Sequence, residues 1–159
     1  MITILSLAND PIHIDSNTLD EANLNGVNLH RALLSNTVMR EATLIDADLR
    51  NAELNNSDFS KSNFSNANLV MADCNTSILI GCNFSNSICF HCNFSNAYLS
   101  NANFINAKVS NASFDGSNLT GSNMNCEGLD EASLKNALYD KKTVWPKNFN
   151  PKIKGAVEI

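Results

Sequence analysis

Apolar side chains recur at every fifth position from Leu19 to Tyr139, through 25 consecutive positions. Thirteen of these centres are Leu and six are Phe; the others are Met39, Cys74, Cys89, Val109, Met124 and Tyr139. Two residues before each centre stands a small side chain. It is Ala thirteen times and Ser six times, with Cys82, Cys92, Thr37 and Val27 filling further places. Only Asn17 and Glu127 depart from this. A short period held over most of a chain marks a solenoid, in which each unit touches only its neighbours.

A period of five fits neither a helix at 3.6 residues per turn nor a flat strand at 2. The two apolar positions of one unit, such as Ala102 and Phe104, are two apart and share one side of an extended stretch. The next, Ala107, is three further on, so the chain must turn a corner between them. Two residues after the centre the sequence places Gly at 26, 81, 116 and 121. It places Asn there at 36, 51, 56, 66, 86, 96, 101, 106, 111 and 136. Both residues tolerate positive φ, as such a corner demands. Extended side, corner, extended side predicts a tube wound from one strand-like chain.

Runs such as Ala47-Asp48-Leu49-Arg50-Asn51 and Ala102-Asn103-Phe104-Ile105-Asn106 make the chain resemble the pentapeptide-repeat family, whose pattern reads A-(D/N)-L-x-x. The likeness covers residues 17 to 140. It implies an all-β fold, a right-handed quadrilateral parallel β-helix with twenty residues per coil and short caps at both ends. Six coils at a strand spacing of about 4.8 Å would give a rod roughly 30 Å long. Read in columns of twenty, Phe64, Phe84 and Phe104 stack on one inner wall, with Phe94 and Phe114 on the wall opposite. Cys74 faces the Phe64 and Phe84 pair, a small residue against large ones, as a dense core requires.

Three segments are expected: a cap at 1–16, the β-helix at 17–140 and a second cap at 141–159. Met1 to Ala8 is apolar but has no basic n-region, so a capping strand is expected rather than a signal peptide, with Ile12 and Ile14 extending the inward register. The final coil exposes its core and a strand edge. Trp145 and Phe149 are expected to plug that core, beside prolines that cannot extend a ladder. This closing segment resembles that of many cyanobacterial members of the family. No stretch is long and apolar enough to span a membrane.

Net charge is −5. Residues 17–140 carry 13 acids and 6 bases, whereas 141–159 hold five Lys and one Glu. The body is mildly acidic and its bases are scattered, which disfavours nucleic-acid binding. The lysines at 141, 142, 147, 152 and 154 read as a solvated tail rather than a docking site for an acidic partner.

Little chemistry presents itself. Cys74, Cys82, Cys89 and Cys92 all fall on inward positions, where Cys acts as a small hydrophobe. Cys89 and Cys92 form a lone CxxC with no second pair or nearby His, so no metal site is expected. An odd total of five Cys favours reduced thiols and a cytoplasmic location. His13, His30 and His91 are scattered, and no nucleophile, base and orienting residue can be grouped. Neither catalysis nor a cofactor is expected. Glu127 stands in a small-residue position, where an unpaired buried carboxylate would be costly, so a local bulge should swing it outward.

The outward positions are mainly Asn, Ser, Asp and Thr. The column 23, 43, 63, 83, 103, 123 is Asn except for Thr43, and its amides are expected to hydrogen-bond from coil to coil. Against this polar surface stand Val70, Met71, Ile88 and Phe90, with Ile78, Ile80 and Tyr98 on the opposite wall. They form the candidate partner-binding patch. A non-enzymatic rigid scaffold or protein-interaction module follows, monomeric or weakly dimeric, with another protein as partner. The resemblance also offers an alternative, a DNA-mimicking inhibitor or protector of a type II topoisomerase. The mostly neutral walls and the missing helical period over 143–159 speak against it.

Overall fold

The computed structural model describes residues 1–159. The chain rises through four ladders of parallel bridges, each joining a residue to the one twenty positions on. Asn23 bridges Thr43, Asn28 bridges Asp48, Leu33 bridges Glu53 and Val38 bridges Asp58, and the cycle repeats upward. The main chain bonds both ways across each rung: Thr43 N–H donates to Ala22 O (2.9 Å) and Leu44 N–H to Asn63 O (2.7 Å). Each side of a coil pairs over so few residues that continuous strands are confined to the two ends.

Corners follow from backbone chemistry. Every fifth residue from Glu21 to Gly121 has positive φ, between 55° and 67°. Typically the centre's carbonyl accepts from the N–H three residues on, as in Ala47 N–H to Leu44 O (3.2 Å). Positive φ at the third residue of such a turn is the type II pattern. The winding extends well beyond the Gly and Asn corners seen in the sequence, forcing even Arg31, Met71, Thr76 and His91 into the left-handed region.

The apolar centres fill the lumen and are buried throughout. The aromatic columns stack as the period predicts: Phe64 on Phe84 (5.0 Å between ring centroids), Phe84 on Phe104 (4.7 Å) and Phe94 on Phe114 (5.1 Å). Rings on different walls meet edge to face, Phe84 with Phe94 on the opposite wall at 5.6 Å and Phe59 with Phe64 on the adjacent one at 5.5 Å. Ser can replace Ala at small inward positions because each buried hydroxyl finds a carbonyl. Ser62 Oγ donates to Met39 O (2.9 Å) and Ser77 Oγ to Leu54 O (2.6 Å), avoiding the cost of an unsatisfied buried polar group. Outside, the Asn column bonds from coil to coil, Asn83 donating to Asn63 (3.1 Å) and Asn103 to Asn83 (3.2 Å).

Both ends are closed. Strand β1 (Ile2–Ser6) pairs antiparallel with β2 (Ile12–Ile14) and with β3 (Ala32–Leu33) on the first coil. Ile4 is buried there, and Ile2, Ile12 and Ile14 pack on the core. At the other end Tyr139 meets Trp145 edge to face and Trp145 stacks on Phe149, 5.5 Å between successive rings. The prolines do not end the ladder. After a short 3-10 helix, Pro151–Lys154, strand β5 (Val157–Glu158) returns to pair in parallel with β4 (Leu138–Tyr139). The segment docks while its lysines stay at the surface: Pro151 and Ala156 are buried, Lys141, Lys142, Lys147 and Lys152 are exposed, Lys152 pairs with Glu158 (2.8 Å), and Lys154 Nζ donates to Asp130 O (2.7 Å).

The register slips twice near this end. Lys108 bridges Glu127, nineteen residues on, and Asn123 bridges Val144, twenty-one on. Glu127 thus takes the outward slot and is exposed, Cys126 packs partly against the core, and Gly128 becomes the extra residue at φ 76°. At the second slip Thr143 takes the place of an inward Ser, its hydroxyl donating to Leu119 O (3.0 Å).

Asp140 holds the second slip. Its carboxylate accepts from Gly121 N–H (2.9 Å), Thr143 Oγ (3.0 Å) and Lys142 N–H (3.1 Å). The Gly121 N–H foremost holds its carboxyl below the ordinary 3.8. A depressed carboxyl contributes stability above its unfolded value, and this is lost as pH falls through the folded one. Acidification below about pH 3.8 should therefore loosen residues 140–149 first. Emission from Trp145, the one tryptophan, should shift red before the far-ultraviolet circular dichroism changes. Coincident transitions would show that Asp140 holds nothing locally.

Candidate partner-binding surface

The seven patch residues are divided between two walls. Val70 and Phe90 occupy equivalent places on successive coils, where Met71 N–H donates to Phe90 O (2.9 Å). Ile88, beside them, bridges Asn68 below and Lys108 above. Met71 is thrust outward by its left-handed corner and is 58% exposed, while Val70, Ile88 and Phe90 are half-buried. Half a coil away, Ile78 bridges Tyr98 in a column running from Val38 and Asp58 to Asn118 and Leu138. Ile78, Ile80 and Tyr98 are exposed. A flat partner can cover either group, but not both at once.

Other exposed features escaped the sequence reading. Asp20, Glu21, Arg40, Glu41, Ser60 and Lys61 line an entirely polar concavity. Arg40 grips Asp20 with two nitrogens (2.6 and 3.3 Å), and Lys61 reaches Glu41 (2.9 Å). The hydrogen bond from Arg40 holds the Asp20 carboxyl below its usual range, and Arg50 does the same to Asp48. For Asp20 with Arg40 and Glu41 with Lys61 the signal lay in opposite charges twenty residues apart, visible once the columns are aligned. These carboxylates are already satisfied by their partners. Exposed Leu33 and Val38 were also not singled out.

The chain's reactive groups lie apart or out of reach. Burial pushes the Cys89 thiol up to about 12 and raises those of Cys82 and Cys92 as well. They stay protonated at neutral pH, and a thiol rather than a thiolate is a poor nucleophile. All five cysteines are unpaired. His13 bonds Thr3 in the N-terminal cap (3.0 Å). No group of three His, Cys, Asp or Glu side chains stands close enough to hold a metal ion, and no helix is long and apolar enough to cross a membrane.

Bridged columns, an enclosed apolar lumen and polar walls define a solenoid repeat protein. Residues 22–60, 57–88 and 87–125 match the family model of pentapeptide repeats (eight copies), and the chain belongs to that family. It is similar to the solved structure of alr5209, a pentapeptide repeat protein from Nostoc Pcc 7120. There the identity is 28% over 77% of this chain and 84% of that one, with a TM-score of 0.45. Rfr23, a pentapeptide repeat protein from the cyanobacterium Cyanothece 51142, is 24% identical over 79% of this chain and 88% of its own, with a TM-score of 0.42. QnrB1, a plasmid-mediated fluoroquinolone resistance protein, is 19% identical over 83% of this chain and 67% of its own, and superposes with a TM-score of 0.60. Among proteins of curated function none matches.

Proposed function

We propose that this chain is a rigid, non-enzymatic protein-interaction module whose preformed walls lose little entropy on binding. In this reading residues 17–140 form a right-handed quadrilateral β-helix of about six coils, with 1–16 and 141–159 as caps. It works in a reducing compartment, the cytoplasm, where its five unpaired thiols persist. Its partner is another protein, and neither a cofactor nor nucleic acid is involved. The observation that carries the reading is the cluster of Val70, Met71, Ile88 and Phe90 on one wall of an otherwise Asn- and Ser-rich surface. Ile78, Ile80 and Tyr98 offer a second contact on the other wall.

Quantitative affinity capture comparing wild type, Phe90→Asp and Tyr98→Asp tests this. A protein enriched by wild type, retained by Tyr98→Asp and lost with Phe90→Asp places the partner on the first wall. The reverse pattern places it on the second, and equal capture by all three removes the patch from consideration. Circular dichroism of each variant checks that folding is intact. A fold shared with QnrB1 makes a DNA-mimicking role at a type II topoisomerase the alternative. Its walls would need to be far more acidic than these, and topoisomerase subunits among the captured proteins would promote it.

A further inference from the structure

The two ends of the rod differ in chemistry and match each other. Residues 1–21 contain Asp10, Asp15 and Glu21, besides Asp20 already paired with Arg40, and no Lys or Arg. Residues 141–159 contain Lys141, Lys142, Lys147, Lys152 and Lys154 against the single Glu158. Asp10, Asp15, Lys141, Lys142 and Lys147 are exposed, and none is in an ion pair. The caps cover the core at each end, but each leaves a bare strand edge. β2 is the outer strand of the order β2-β1-β3, and β5 the outer strand of β4-β5. Large apolar side chains are exposed on both caps: Leu5 (52% exposed) and Leu7 (59%), which run along β3, and Ile153 (81%) and Val157 (44%) at β5.

Strand direction agrees as well. β1 runs antiparallel to β3 and β2 antiparallel to β1, so β2 runs in the same sense as the coils. β5 pairs in parallel with β4. A β2 laid on a β5 would therefore continue the parallel ladder. An unpaired edge is a ready template for another chain, and native proteins usually blunt it.

We propose that the acidic N-terminal cap of one copy docks on the basic C-terminal cap of a second, head to tail, with β2 against β5. The two patches are different surfaces, so the contact is heterologous and does not close. Copies join into open rows rather than a symmetric dimer.

Sedimentation velocity on the 159-residue chain reads this directly. At low ionic strength, where charges reach about 30 Å, the weight-average mass should climb with concentration past twice the 17.3 kDa protomer. In about 1 M salt, where that reach shrinks to about 3 Å, it should fall back at least tenfold in association constant. Asp10→Lys/Asp15→Lys and Lys141→Glu/Lys142→Glu/Lys147→Glu alter exposed side chains only. Each alone should remain a monomer. Mixed in equal amounts they should associate without limit, because every junction in an alternating row is again of opposite charge. A wild-type chain monomeric at all concentrations overturns the proposal. So does association that stops at a dimer in the mixture, the mark of a symmetric contact, or association indifferent to salt. If either reversal variant proves unfolded by circular dichroism, Asp10→Asn/Asp15→Asn replaces it and should weaken association at least tenfold. An unchanged association constant would be equally fatal.

Discussion

Replacing Phe84 with Ala is expected to cost about 3–5 kcal/mol, the range for emptying a large buried aromatic site. The ring lies between Phe64 and Phe104 and meets Phe94 edge-on, so one truncation breaks three aromatic pairs. Each such pair contributes about 0.5–1.5 kcal/mol beyond area burial. Collapse cannot fill the gap, because the walls are pinned by main-chain bonds above and below, Phe84 N–H to Asn103 O and Asn83 N–H to Ser62 O. In a solenoid each coil is stabilised by its neighbours alone, so a weak middle coil uncouples the halves. Urea unfolding should show a lower midpoint and a broadened or split transition. A thermal melt unchanged from wild type would sink the columnar core.

Gly128→Ala should be the most damaging substitution outside the lumen. Gly128 sits at φ 76°, and an added Cβ would lie 2.8 Å from Ser110 N and overlap Ser110 Oγ. Two terms add, backbone strain and overpacking, each of about 1–3 kcal/mol. Gly26→Ala is the control: its φ of 65° is similar, but a Cβ there meets nothing within 4 Å. Only the left-handed backbone cost of roughly 1–2 kcal/mol remains. Equal losses from the two variants, measured by chemical denaturation, would show that Ser110 does not press on Gly128.

The lumen and corners were legible because winding repeats one local choice. A centre such as Phe104, its partner Ala102 and the corner Asn106 each obey a local rule that the next coil enforces again. The two slips were harder to see. Met124 and Leu129 keep their spacing of five, so nothing in the apolar period reveals that Glu127 has taken the bridge facing Lys108. Glu127 in a small-residue position was the one clue, and it marked the bulge correctly. The return of β5 was hidden for another reason. Pro146 and Pro151 break any period, and pairing between residues 138 and 157 depends on the docked segment rather than on local sequence. The patch was legible as a composition of columns. Its half-burial at Val70, Ile88 and Phe90 was not, since that depends on how neighbouring coils crowd an outward side chain.

The four ladders also set a rule for changes in length. Adding or removing twenty residues shifts every later residue by one full rung and leaves each column on its own wall. Five residues keep inward positions inward but hand each outward column to the next wall, so the polar column headed by Asn23 would continue as the one headed by Asn28. Any other number turns lumen residues outward unless it is cancelled nearby, as the early bridge at Glu127 is cancelled by the extra residue Gly128 before Ser113 bridges Ser133 at the usual twenty. Tandem duplication by whole coils is thus the mutation this chain absorbs most readily, and the distance between its caps is free to drift while the surface pattern is inherited intact.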